Sequence, residues 1–145
     1  MMRDIYCRAI KKGSKNEWVY GYLERDSFGY YFICPYTDSN RNLVRQVKED
    51  TISQLIPLNN EKFPIPIFEG DIIEVCKEVD CYGEKSIIRE RYLAYWSDNT
   101  YGFMFKRIAC GGMEFSPKTA PELMYPKDWY KVVGNKWDNP ELMEG

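Results

Sequence analysis

The chain has 145 residues, of which 44% are hydrophobic, 29% charged and 16% aromatic, with a net charge of −2. That length and balance place it in the globular range, as one domain's worth of chain able to bury a core without staples. The slightly acidic charge excludes a general pull on phosphate backbones, and the absence of histidine excludes triads, dyads and the usual zinc sites built on imidazole.

Twelve Tyr, seven Phe and four Trp favour strands, and tyrosine packs its ring while leaving its hydroxyl wet, so a β-rich fold with exposed tyrosines is expected. The five cysteines, Cys7, Cys34, Cys76, Cys81 and Cys110, form no C-x-x-C pair. Their odd number and the lack of a secretory signal read as free thiols in a reducing cytoplasm, each a small buried hydrophobe. No apolar run reaches the roughly 18–20 residues that cross a bilayer, so no membrane partner is expected.

Taken in order, residues 1–10 alternate, with Ile5, Cys7 and Ala9 on one face, and predict a half-buried strand. A lysine-bearing turn (11–16) leads to a strand over 17–24, where Gly21 inside an aromatic run marks a bulge or a close backbone approach. A turn at 25–29 and a strand over 30–34 complete a hairpin, ended by Pro35. Residues 36–42 are polar and turn-rich, 43–47 form a short strand, and 49–55 fit either a strand or one helical turn. Three prolines and the breaker cluster Asn59-Asn60-Glu61-Lys62 make 57–66 the joint between two β-rich halves, about 1–60 and 61–145.

The second half is organised around Ile65-Pro66-Ile67-Phe68-Glu69-Gly70-Asp71-Ile72-Ile73-Glu74-Val75. Glu69, Gly70 and Asp71 read as a tight structural turn: Gly70 takes a positive φ freely, and Asp71 ties its carboxylate to nearby backbone N–H groups. A strand over 72–79, a loop over 80–85, a long return over 86–96, a turn at 97–100 and a strand over 101–106 form a meander suited to a small barrel. Residues 110–126 read as irregular, with one helical turn at 121–124, and 129–135 as the last strand. Asn139 as N-cap and Pro140 at the first position signal a short terminal helix. The expected core of the second half includes Ile73, Val75, Leu93, Tyr95, Phe103, Phe105 and Val133.

Several of these stretches together resemble the YopX family of bacteriophage and prophage proteins. They are the opening Met2-Arg3-Asp4-Ile5-Tyr6-Cys7-Arg8-Ala9, the motif Trp18-Val19-Tyr20-Gly21-Tyr22-Leu23, the centre Ile67-Phe68-Glu69-Gly70-Asp71-Ile72-Ile73, and Val132-Val133-Gly134-Asn135 followed by Asp138-Asn139-Pro140-Glu141-Leu142. Residues 54–63 depart from the Thr-Gly-Leu turn usual in the family. The resemblance implies a mainly β fold with an SH3-like small β-barrel, here preceded by a hairpin-rich N-terminal half. It further implies phage or prophage origin and a tendency to assemble, with no established activity and no catalytic residues to carry over.

Three functional readings follow. The first is a non-enzymatic interaction module that forms a homo-oligomer or binds an unknown phage or host protein, since exposed Tyr and Trp are typical interface anchors. For Trp18, Trp96, Trp129 and Trp137 the competing reading is core packing. The second is a nucleic-acid-binding barrel using Lys12, Lys15 and Trp18, or Arg89, Arg91 and Tyr92; the net charge and interleaved Glu84 and Glu90 count against it. The third is an enzyme resting on Glu69, Asp71 and Glu74, disfavoured because the Gly70 turn separates the first two. No catalytic residue, metal ligand or cofactor is assigned.

Overall fold

The computed structural model describes residues 6–35, 43–56, 66–108, 116–119 and 129–144, with the backbone alone of Trp129. The chain divides into two compact units, Met1–Leu55 and Ile56–Gly145. Each has its own antiparallel sheet and its own apolar cluster. The fold is all-β: among the described residues no helix exceeds one short 3-10 turn. All of the expected joint 57–66 but its last residue, the polar stretch 36–42, the helical turn at 121–124 and Cys110 lie outside the described residues.

The first unit contains β1 (Tyr6–Ile10), β2 (Trp18–Arg25), β3 (Tyr31–Cys34), β4 (Arg45–Gln46) and β5 (Ser53–Gln54), in the order β4-β3-β2-β1-β5. The register Cys7↔Gly21 and Ala9↔Val19, with Leu23↔Ile33 on the next strand, places one alternation on the core side. Cys7, Ala9, Ile33 and Val47 are buried there, with Val19 and Leu23 packed against them. The backbone does come close at Gly21, where a Cβ would overlap the Cys34 carbonyl and reach Pro35 Cα. The stretch 49–55 takes both of its expected forms, a 3-10 turn at Glu49–Thr51 and then β5. Thr51 joins them to β1, accepting from Ile10 N at 2.8 Å and donating to Lys48 O at 2.7 Å.

The second unit contains β6 (Asp71–Cys81), β7 (Glu84–Ser97), β8 (Gly102–Arg107) and β9 (Trp129–Asn135), in the order β8-β7-β6-β9. Closing a barrel requires the two edge strands to pair. Among the described residues no ladder joins β8 to β9, so the sheet stands open where a small barrel was expected. Its core holds Ile56, Ile67, Ile73, Val75, Tyr92, Ala94 and Phe105, with Phe103, Tyr130 and Val132 packed against it.

This corrects part of the expected core. Ile73, Val75 and Phe105 are inside and Phe103 is partly buried, but the register Ile73↔Tyr92 turns Tyr92 and Ala94 inward and leaves Leu93 and Tyr95 half-buried. The bulge in the β6–β9 ladder between Ile72 and Ile73 puts Val132, not Val133, opposite Ile73. A strand alternates with period two, so a one-residue error in phase moves every side chain to the other face.

The Glu69-Gly70-Asp71 turn is where the elements of this unit meet. Asp71 N donates to Phe68 O at 3.0 Å, and Asp71 Oδ2 accepts from Phe68 N at 2.8 Å. Gly70 donates to Ala94 O on β7 and accepts from Lys136 N after β9. Its φ is +84°, and a Cβ there would fall inside the Trp137 ring. Beyond β9, Asn135 Oδ1 accepts from the backbone N–H groups of Trp137 and Asp138 at 3.0 and 2.8 Å. Asn139 does not cap the terminal turn Pro140–Met143: its Oδ1 accepts from Asn135 N at 3.2 Å instead. Residues 67–73 and 132–139 are therefore one hydrogen-bonded assembly.

Candidate functional site

The most distinctive surface is the hairpin made by β6 and β7. On one side β9 stops pairing at Cys76↔Trp129, and on the other β8 stops at Tyr92↔Arg107. The β6–β7 ladder nevertheless continues to Cys81↔Glu84. Among the described residues, then, 77–90 form a two-stranded arm that leaves the four-stranded sheet. The loop expected over 80–85 is only Tyr82-Gly83, with φ of +55° and +85°. Positive φ at both central residues is the turn that matches the right-handed twist of a hairpin.

The arm is exposed on both faces. Cross-strand pairing puts Val79, Ser86 and Ile88 on the face that continues the unit's core, and Glu78, Asp80, Lys85 and Ile87 on the other. Ile87 is 59% exposed, Ile88 44%, and Tyr82 at the tip is fully exposed. Lys85 Nζ lies 3.7 Å from Glu78 Oε1 in a solvated pair. Over 77–90 three cations stand against four carboxylates, so the arm is nearly neutral.

The root of the arm is charged and more enclosed. Glu90 is buried and is met by the Tyr92 hydroxyl at 3.0 Å, Lys77 Nζ at 3.2 Å and Arg107 Nη1 at 3.4 Å. Burial pushes its carboxyl up, but the hydrogen bonds from Tyr92 and Lys77 and the charges of Lys77 and Arg107 outweigh this and hold it below its ordinary value. Glu74 is buried too. Arg91 Nε lies 3.6 Å from its Oε2, and Lys131 Nζ lies 3.4 Å from Oε1, an ionic contact without the alignment of a hydrogen bond. A cleft of about 340 Å³ opens here, lined by Glu74, Arg89, Arg91, Arg107 and Glu144 among others.

Of the residues singled out from sequence, Arg89 and Arg91 meet at this cleft. Tyr92 does not join them as a stacking platform, since it is 1% exposed. Its neighbour Leu93 pairs with Ile72, and the alternation that sends Tyr92 into the core sends Arg91 out. In the first unit, Lys15 is exposed on the turn before β2. Trp18 is half-buried, with the Arg8 guanidinium 4.7 Å above its ring. Lys12 lies 5.3 Å over the Tyr30 ring and, with Tyr31 and Lys48, lines a groove of about 190 Å³.

Glu69, Gly70 and Asp71 form the turn described above, and Asp71 and Glu74, three apart on one strand, point to opposite faces. Among the described residues no three of His, Cys, Asp or Glu gather as a metal site requires. Cys7, Cys34, Cys76 and Cys81 are in no disulfide, and the first two are buried. No described helix is long and apolar enough to cross a membrane.

Sequence reasoning missed the arm and the partners of Glu90. The signal for the arm was available in Tyr82-Gly83, an X-Gly pair bracketed by two alternating runs. No spacing rule could have brought Lys77, Glu90 and Arg107 together, because they come from three strands. Compared with protein-family models, with curated proteins and with solved structures, the chain matches none.

Proposed function

We propose that this chain is a non-enzymatic interaction module, phage- or prophage-encoded in keeping with its YopX-like landmarks, that self-assembles or binds a protein partner through the β6–β7 arm. The observation that carries this reading is a two-stranded ribbon extending past both flanking strands with Ile87, Ile88 and Tyr82 in solvent. An isolated two-stranded hairpin is marginal in water, and exposed strand edges are templates for pairing. Near-neutrality with exposed isoleucine suits a protein surface better than a phosphate backbone. The non-enzymatic part is supported by the engagement of two of the three candidate carboxylates: Asp71 caps its turn, and Glu74 sits in ion pairs.

Sedimentation of the full chain over a concentration series tests the reading. Association that weakens in Ile88→Lys at unchanged thermal stability is the expected result. A wild-type chain that stays monomeric at every concentration removes self-assembly from it.

A second reading, nucleic-acid binding, draws on the Arg8–Trp18 and Lys12–Tyr30 stacks. Cations over aromatic rings beside exposed tyrosines are the chemistry of a single-strand platform. Fluorescence anisotropy with random single-stranded and duplex DNA across a salt series decides between the two. Steeply salt-dependent binding lost in Lys12→Glu would favour this second reading, and no binding at low salt would remove it.

A further inference from the structure

Tyr82 is an unusual residue for its position. It sits first in a two-residue turn at a φ of +55°, where Asn, Asp or Gly are favoured and an aromatic side chain is strained. It is also fully exposed, so the strain is repaid by no packing within the chain. Strain held at an exposed aromatic tip points to a contact outside the molecule. Around Tyr82 the outer arm is acidic: Glu78, Asp80 and Glu84 stand against Lys85 alone. Asp80 Oδ1 accepts from Gly83 N at 3.1 Å and holds the tip in one shape.

The first unit carries the complementary features. Its groove has an aromatic wall of Tyr30 and Tyr31, with the ammonium groups of Lys12 and Lys48 against one carboxylate, Glu49. Its volume of about 190 Å³ is on the scale of one aromatic side chain. The turn leading into the wall is closed by Asp26 Oδ1, which accepts from Phe28 N at 3.0 Å and Tyr30 N at 2.9 Å. The same polarity runs through the whole chain. Residues 1–55 carry nine Lys and Arg against seven Asp and Glu, and residues 56–145 eleven against fifteen, so the units have net charges of +2 and −4.

We infer that the partner of the arm is a second copy of this chain, with Tyr82 of one copy seated in the Lys12–Tyr30–Tyr31–Lys48 groove of the next. The inference rests on the arm being the interaction surface proposed above. Tip and groove are different surfaces, so the contact is head-to-tail, and a pair of copies keeps one free tip on one member and one free groove on the other. Such a contact closes into a ring or grows as a chain.

The test uses the full chain in analytical ultracentrifugation, with Tyr82→Gly and the double variant Lys12→Glu/Lys48→Glu. Tyr82→Gly suits the turn's backbone, and the double variant changes side chains at the groove rim, so both are expected to fold as judged by circular dichroism and melting. Each is expected to weaken association at least about tenfold, and wild-type association to weaken as salt rises. Mixing the two variants should restore a 1:1 dimer that grows no further, because one intact tip then meets one intact groove.

Tyr82→Gly associating like the wild type, or folded variants that stay monomeric when mixed, would overturn the pairing. If Ile88→Lys abolishes association while Tyr82→Gly leaves it intact, the arm remains the interface and only the groove assignment falls. A wild-type chain that never associates overturns both.

Discussion

The two units solve the same problem, a small antiparallel sheet covering an apolar cluster, with different economies of strand length. In the first unit no described strand exceeds the eight residues of β2. In the second, β6 and β7 run to eleven and fourteen residues while β8 and β9 stop at six and seven. The first unit therefore offers pockets and stacked rings beside its sheet, and the second offers a projecting ribbon. Flanking strands, not the hairpin itself, set where a sheet becomes an arm. A stretch with unremarkable alternation is core at Ile73 and Val75 and solvated surface at Glu78 and Asp80, within one strand.

Breaking each unit at its tightest glycine should have the largest effect and should show whether the two melt separately. Gly70→Val meets the Trp137 ring at a positive φ, and Gly21→Ala meets the Cys34 carbonyl. Each is expected to cost about 3 kcal/mol or more in its own unit. Hydrogen exchange reads the outcome. Protection should fall in β6, β7 and β9 for Gly70→Val and in β1–β3 for Gly21→Ala. A Gly70→Val chain as stable as the wild type would defeat the assignment of that turn as structural.

Next in size is the root of the arm. Glu90→Gln removes the counter-charge of Lys77 and Arg107 while keeping a partner for Tyr92, and should destabilise the second unit by about 2 kcal/mol in denaturant titration. The folded-state value of Glu90 lies below its ordinary one. Its contribution is therefore complete above the ordinary carboxylate range and is lost as pH falls through the lowered value. Stability of Glu90→Gln should accordingly vary less with pH over that acidic window than stability of the wild type. Identical acid limbs for the two proteins would mean that Glu90 gains nothing from its partners.

The arm itself should be almost silent in stability. Ile88→Lys is expected to change it by less than about 0.5 kcal/mol, because the side chain is already substantially in water. Tyr82→Gly should leave melting unchanged or slightly raised, since glycine accepts the left-handed backbone. A large loss of stability in either variant would show that the arm is packed rather than presented, and would erase the contrast between the units.

Much of the fold was legible in residue order. Alternation at Cys7 and Ala9, the Gly21 close approach, the Pro35 stop and the Glu69-Gly70-Asp71 turn are local events, written by backbone freedom and side-chain-to-backbone bonding within a few residues. The candidate surfaces were legible only in pieces. Lys12, Arg89 and Arg91 were visible as exposed cations, whereas Tyr82 was hidden inside a polar cluster that reads as loop.

By itself, then, the sequence determined an all-β chain without histidine chemistry, its hairpins, and the glycine turn that ties its second half together. Tertiary structure decided the phase of β7, which put Tyr92 inside and left Leu93 half-buried, because phase depends on which neighbour a strand pairs with. It also decided that β8 and β9 stop short, because the reach of an edge strand is set by the whole sheet and not by the strand's own residues. The arm exists for that second reason.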